Sequence, residues 1–320
     1  MLLVGNQWSG QMSSWCSEPF NNVYLENLNG GRIAPCCMAK TEKINQYYTL
    51  YNQPYLQDIR KQFLQGKQPD ACVQCWKNEQ QGLGSRRLDK GQQQQKNSLI
   101  SLEINVNNRC NLKCRICGPK YSTAWHSDAR KMGMDIPKPS KNNLWKELNL
   151  SKLQWVHFNG GEPLMSTDHA EMLEAIPNKQ NCEVYYNTNG TIRVSNAILD
   201  LWQEFKLVKI VFSIDDVAED FEYQRRGASW KQVEENMLWY KDNAPHNTMF
   251  GINRTISRYN VDRLEYLNKW VNDVFSTNRY GDTNDFTDQM ALGVAGLDTS
   301  KQNFDDYNMK LDLIETVEID

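Results

Sequence analysis

The sequence predicts an α/β protein: an open, partial parallel β/α barrel preceded by a small cysteine-rich module of a hairpin and a helix. Three observations lead there. After residue 98, short apolar runs alternate with segments of helical spacing, the pattern of a parallel sheet with helices packed outside it. Before residue 88 the chain reads differently, and five of its nine cysteines fall in the first 75 residues. Between the two lies 88–98, a polar stretch with a glutamine run at 92–95 and no apolar face to pack. The expected division is therefore a module at 1–87, a linker at 88–98, a barrel at 99–295 and a tail of little pattern at 296–320.

The elements follow in order. Val23 and Leu25 alternate with polar neighbours, Asn29, Gly30 and Gly31 supply turn chemistry, and Arg32 and Ile33 begin a return strand, so 23–33 reads as a hairpin. Tyr55, Leu56, Ile59 and Phe63 share a helical face that stops at Gly66. Ile100, Leu102, Ile104 and Val106 alternate strictly with polar residues, the mark of a half-buried strand. Runs at 155–158, 182–186, 207–214 and 249–256 are bounded by Gly, Asn or Asp and read as four more strands, with 290–294 a less regular sixth. Ser195 is placed to cap a helix carrying Ile198, Leu201, Trp202 and Phe205, and Ser229 one carrying Val233, Met237 and Tyr240. Segment 260–275 puts Leu264, Leu267, Val271 and Val274 on one side. Five clear strands suit an open barrel better than a closed ring of eight.

Composition excludes several classes. A net charge of -3 gives no reason to expect a nucleic-acid partner. No apolar run approaches the ~20 residues of a membrane span. Met1-Leu2-Leu3-Val4 leads at once into Gly5-Asn6-Gln7, which reads as no signal peptide and sets a cytoplasmic expectation. In a reducing compartment, grouped cysteines point to metal or redox chemistry rather than to disulfides. Cys182, alone on an apolar run, reads as an inert core thiol.

Cys110-Asn-Leu-Lys-Cys114-Arg-Ile-Cys117 directly follows the first strand of the alternating region, where a parallel α/β fold builds its active site. Four cysteines would close a [4Fe–4S] cube, whereas three leave one iron open, as an open zinc site differs from a closed one. Three thiols alone are also compatible with zinc. Two glycines in Gly160-Gly161-Glu162-Pro163, after the second strand, permit close backbone approach, and a carboxylate suits an ammonium group. A tight strand-to-helix turn with Glu and Pro in its first turn accounts for the same four residues.

In this register the two segments resemble the radical S-adenosylmethionine superfamily, although Ile116 stands where many members carry an aromatic residue. The resemblance implies a [4Fe–4S] cluster on Cys110, Cys114 and Cys117, and S-adenosylmethionine with its amino group held by backbone and carboxylate at Gly160, Gly161, Glu162 and Pro163. Asn187 and Asn189 in Asn-Thr-Asn-Gly190, and Ser213 and Asp215 in Ser-Ile-Asp, look like further family segments, with Ser213 directed to the ribose or the methionine carboxylate. Asp216 follows where relatives often have Gly. Arg225, or else its neighbour Arg226, matches the arginine that pairs with that carboxylate. A turn, a helix cap and a surface charge are the plainer readings of these positions.

Cys16, Cys36, Cys72 and Cys75 resemble the auxiliary-cluster modules called twitch and SPASM, which implies a second [4Fe–4S] cluster with four protein ligands. Cys37 is spare or an alternative to Cys36, and the module stands before the barrel where relatives place it after. A structural zinc site would use the same thiols. The resemblance further implies reductive cleavage of S-adenosylmethionine to a 5′-deoxyadenosyl radical acting on a small molecule or peptide, and an electron donor such as flavodoxin or ferredoxin. An iron–sulfur carrier or sensor without catalysis, and a zinc-binding adaptor, are the competing classes. Among the remaining features, His126, His157, His169 and His246 show no mutual metal spacing, Arg86, Arg87 and Lys90 read as a solvated face, and Trp76 as a shield beside Cys75.

Overall fold

The structure, a computed structural model, describes residues 14–138 and 143–275. The expected run at 290–294, the tail from 296 and the opening 1–13 lie outside those residues.

Among the described residues a single eight-stranded sheet runs in the order β3-β2-β1-β4-β5-β6-β7-β8. Its strands are β1 (Asn22–Glu26), β2 (Arg32–Ala34), β3 (Glu42–Lys43), β4 (Ser101–Asn105), β5 (Trp155–Asn159), β6 (Glu183–Thr188), β7 (Leu207–Ser213) and β8 (Thr248–Asn253). β4 to β8 are the five expected parallel strands, and among the described residues the row is open rather than closed on itself. The hairpin of β1 and β2 forms as the turn residues require, with Asn29 and Gly30 in the left-handed region. The surprise is its docking. β1 pairs in parallel with β4 along its whole length, from Asn22 against Ser101 to Glu26 against Asn105.

The expected boundary at 88–98 thus falls within one sheet. That segment is also held in place: Ser17 N donates to Gly91 O at 2.7 Å, Lys96 N to Asn21 Oδ1 at 2.7 Å and Ser98 N to Phe20 O at 3.1 Å. A glutamine-rich stretch with no apolar face is fixed here by its backbone polar groups, which a reading of side-chain hydrophobicity does not weigh.

One face of the sheet is apolar. Leu102, Ile104, Val156, Phe158, Val184, Tyr186, Val208, Ile210 and Phe212 are fully buried there, beneath helices Asp168–Glu174, Asn196–Gln203 and Trp230–Asn243. The other face is polar, and register aligns Tyr24, Glu103, His157, Tyr185, Lys209 and Met249 across six strands. From β5 to β7 this face is partly open. At β4 it is closed, with Glu103 and Asn105 buried, because the N-terminal segment covers it. The half-buried strand expected from alternation is therefore buried on both sides.

Two local expectations also change. In 264–275 the inward residues are Leu267, Val271 and Phe275, while Val274 turns outward; the last five residues form a wide π turn, which lengthens the repeat to four. Arg86 and Arg87 are not a solvated face. The short helix Arg86–Asp89 turns them inward, where Arg87 pairs with buried Glu79, and Arg86 bridges Glu18 at 2.6 Å and Glu103 at 2.8 Å. Cys182 is fully buried, and burial pushes its thiol up to about 12.

His169 gives the fold a pH dependence. Its imidazole is buried in the helical layer, with Nδ1 2.8 Å from the Tyr186 hydroxyl, and burial pulls its pKa down to about 4. Below about pH 6.5 the unfolded chain takes up a proton that the folded chain refuses, so stability falls as pH drops from there toward 4, by about 3 kcal/mol in total. Urea melts at pH 7 and pH 5 should show the wild type losing about 2 kcal/mol more than His169→Gln. Equal losses in the two proteins would refute the assignment.

Candidate functional site

The loops after β4, β5, β6 and β7 meet at the carboxyl edge of the parallel strands, where open α/β sheets bind their ligands. The first is the cysteine loop. Cys110 and Cys114 are buried, Cys117 is half-buried, and the three pack with Leu112 and Ile116 in one cluster apart from the main core. The loop is built from within: the Ser122 hydroxyl donates to Leu112 O at 2.6 Å, and Cys110 N to Thr123 Oγ1 at 3.3 Å.

The glycine loop after β5 lies directly against it. Glu162 N donates to Arg109 O at 2.6 Å. Gly161 has φ +58°, and a Cβ there would stand 2.4 Å from that same carbonyl oxygen. Only glycine permits both the conformation and the contact. Pro163 begins a short helical turn that Glu162 caps through Leu164 N at 3.1 Å.

Glu162 sits differently from its expected role at an ammonium group. The side chain is buried, and both oxygens serve the protein: Oε1 accepts from Leu164 N and Thr188 Oγ1, and Oε2 from Asn189 N at 2.6 Å. Burial holds the carboxyl up at about 7, opposed by those three donors. Its visible work is to tie the glycine loop to the end of β6.

Asn189, at that end, reaches the cysteine loop: Nδ2 lies 3.0 Å from Asn111 Oδ1 and 3.7 Å from Cys110 Sγ. Asn187 stays on the polar face, donating to Asn159 Oδ1 at 2.9 Å. Ser213 closes β7 on the same half-open face. Asp215 is buried, accepts from Thr255 N at 2.9 Å and pairs with Arg225 Nε at 2.9 Å. The structure separates the two arginines: Arg225 is buried beside the thiols, Arg226 is exposed. Burial pushes all three thiols up, Cys114 to about 11, while the Arg225 charge favours the thiolates of Cys114 and Cys117.

Sequence reasoning passed over Asn105, Thr188 and Asn111. Asn105 lies at the end of β4, donates to Tyr24 Oη at 2.8 Å and supports Gly160 from below. Thr188 and Asn111 lie inside the Asn-Thr-Asn-Gly and cysteine motifs at positions given no role of their own, and only strand register marks Asn105.

A second set of thiols stands in the N-terminal segment. Cys16, Cys36, Cys72 and Cys75, all buried, line one cavity with Glu18, Met38, Phe63, Arg86 and Arg87. Burial raises each thiol, Cys72 to about 12. Cys37 is not among the lining residues; its sulfur lies 3.6 Å from Arg86 Nη1 on the polar-face side. β2 ends at Ala34, and Cys36 and Cys37 lie in the turn that follows it. Trp76 packs on this set and donates to Pro69 O at 3.2 Å. A Cβ on Gly91 would come within 2.6 Å of Cys16 Sγ, so the 88–98 segment forms part of the wall. Among the described residues no three His, Cys, Asp or Glu side chains converge where one metal ion could sit.

An open, mostly parallel α/β sheet with a three-thiol loop at its carboxyl edge defines the class. Residues 104–259 match the model of the Radical SAM superfamily. It is 30% identical over 123 residues to a probable GTP 3′,8-cyclase of Methanocella arvoryzae, across 38% of this chain and 36% of that protein. To a 7-carboxy-7-deazaguanine synthase of Thermoplasma acidophilum it is 33% identical over 91 residues, 28% of this chain and 38% of the relative. The chain thus spans little more than a third of the length of either. A structure described as native anSMEcpe with bound AdoMet aligns at 19% identity and TM-score 0.40, over 58% of this chain and 50% of that one. The superfamily uses a [4Fe–4S] cluster and S-adenosylmethionine. Among the described residues no helix is long and apolar enough to cross a membrane.

Proposed function

We propose that the chain is a radical S-adenosylmethionine enzyme. The observation that carries this reading is the packing of Gly161 and Glu162 onto Arg109, which sets a backbone cradle beside three thiols. Those residues fit the cofactors: three sulfur ligands leave a [4Fe–4S] cluster one iron for a chelating ligand, and glycine backbone admits that ligand closely. When bound, the pair supplies reductive cleavage of the sulfonium, giving methionine and a 5′-deoxyadenosyl radical that takes hydrogen from a substrate.

The protein's own part is to hold and orient. Cys110, Cys114 and Cys117 hold the cluster. Gly160, Gly161 and Pro163 shape the cradle for the amino group, and Glu162 keeps it in place through Thr188 and Asn189. Asn187 and Ser213 face the ligand from the polar side, and Arg225, oriented by Asp215, meets the methionine carboxylate. The half-open face with Trp155, His157 and Tyr185 is the floor on which a peptide or small molecule lies. In the N-terminal segment, Cys16, Cys36, Cys72 and Cys75 hold a second [4Fe–4S] cluster of the twitch or SPASM kind, with Cys37 outside the set. The module at 1–87 serves that cluster, and such chemistry belongs in the reducing cytoplasm.

The test is anaerobic reconstitution followed by a strong reductant and S-adenosylmethionine. Formation of 5′-deoxyadenosine is expected. A brown, iron-loaded protein that makes none is an electron carrier or sensor instead. A colourless protein with stoichiometric zinc is an adaptor.

A further inference from the structure

A cleft of about 450 Å³ opens between the N-terminal hairpin and the chain that follows the cysteine loop. Glu26, the last residue of β1, stands on one wall, in register with Asn105 of β4. Its carboxylate is buried and only half used. Oε1 accepts from Lys120 Nζ at 2.9 Å and from the Tyr24 hydroxyl at 3.1 Å, whereas Oε2 is buried without a hydrogen-bond partner. A buried carboxylate oxygen left so is costly, which marks it as a place for a donor from outside the chain. Another wall is the loop 135–137. Asn29 N, donating to Lys138 O at 2.7 Å, and Lys138 N, donating to Asn29 Oδ1 at 2.9 Å, pin that loop to the hairpin turn. Three separate stretches of chain therefore build the cleft.

Charge and shape define what fits. Two carboxylates, Glu26 and Asp135, and two cations, Lys120 and Arg32, line the cleft. Arg32 is anchored there by Nε, which donates to Thr41 Oγ1 at 2.8 Å. The four charges cancel, so an ion of one sign gains little from them, while a ligand carrying both signs is attracted at each end. Leu28 and Ile136 add an apolar surface, and the volume is that of a small-molecule site. We propose that the cleft binds a free α-amino acid with an apolar side chain. Its ammonium donates to Glu26 Oε2 with Asp135 in support, its carboxylate meets Arg32 and Lys120, and its side chain lies on Leu28 and Ile136. None of these residues belongs to the set read as holding S-adenosylmethionine, and the binding needs no cluster. Tyr24 links Glu26 to Asn105, which supports Gly160, so the occupant sits next to the glycine loop.

Isothermal titration calorimetry on the reconstituted full chain tests this, with L-phenylalanine and L-leucine as probes. At least one of them is expected to bind. The analogues 3-phenylpropionate, which lacks the ammonium, and 2-phenylethylamine, which lacks the carboxylate, should bind about tenfold more weakly than L-phenylalanine. Glu26→Gln should weaken amino-acid binding about tenfold, with circular dichroism reporting that the variant folds. Asp135 is exposed, so Asp135→Lys leaves the fold alone. It is expected to weaken the amino acid about fivefold at low salt and to leave 3-phenylpropionate no weaker. The assignment is overturned if neither amino acid binds at millimolar concentration, if both variants keep wild-type affinity, or if 3-phenylpropionate binds as tightly as L-phenylalanine. Iron content of the same samples judges the cluster separately: a chain that holds no iron and still binds the amino acid sinks the cluster reading and leaves this one standing.

Discussion

Cys114→Ala, reconstituted anaerobically, is expected to bind about four fewer irons per chain than the wild type, to keep about four at the N-terminal thiols, and to form no 5′-deoxyadenosine. The separation of the two sets makes the result specific. Cys114 packs with Cys110, Leu112 and Ile116, whereas Cys16, Cys36 and Cys72 pack with Phe63 and Trp76. Removing one small side chain from a satellite cluster costs the fold about 1 kcal/mol, so circular dichroism and the thermal midpoint should hardly change. Iron analysis on both proteins decides the matter. If Cys114→Ala kept its full iron content, the three-thiol assignment would be wrong; if it lost all of it, the two sets would not be independent centres.

The second large effect concerns Glu162. Its two oxygens collect Leu164 N, Thr188 Oγ1 and Asn189 N in a buried space. Glu162→Gln replaces one of those oxygens with an amide NH₂. A donor then faces a donor, at Asn189 N or at Thr188 and Leu164. The strand-end loop would move away from the glycine loop, taking Asn189 from Cys110. The loss of charge-assisted bonds to a buried carboxylate costs on the order of 3 kcal/mol, which corresponds to roughly a hundredfold weaker binding of whatever the joined loops hold. Equilibrium binding of S-adenosylmethionine to the iron-loaded variant measures this. Wild-type affinity would show that the tie between the loops is dispensable.

How the residues distribute between the two sources of information follows from range. Strand and helix positions depend on neighbours a few places away. The hairpin at β1 and β2, the helix from Pro54 to Leu64 and the five strands β4 to β8 were accordingly readable from periodicity. The cysteine loop and the glycines were readable for a related reason: close ligand approach and sulfur ligation need particular residue types at short spacing. Arg86 and Arg87 were misread because a charged dipeptide looks the same whether it faces water or three carboxylates contributed by Glu18, Glu79 and Glu103.

By itself the sequence determined that this is an α/β chain with an open parallel sheet, that three thiols follow its first barrel strand, and that a glycine turn follows the next. Only the tertiary structure decided that β1 continues that sheet, that Cys36 and not Cys37 faces the second set of thiols, that Glu162 is spent on holding two loops together, and that Arg225 turns inward while Arg226 turns out. The physical reason is common to all four. Each depends on which distant backbone or charge lies opposite a residue, and that partner is brought there by strand register and burial rather than by any neighbour in the chain.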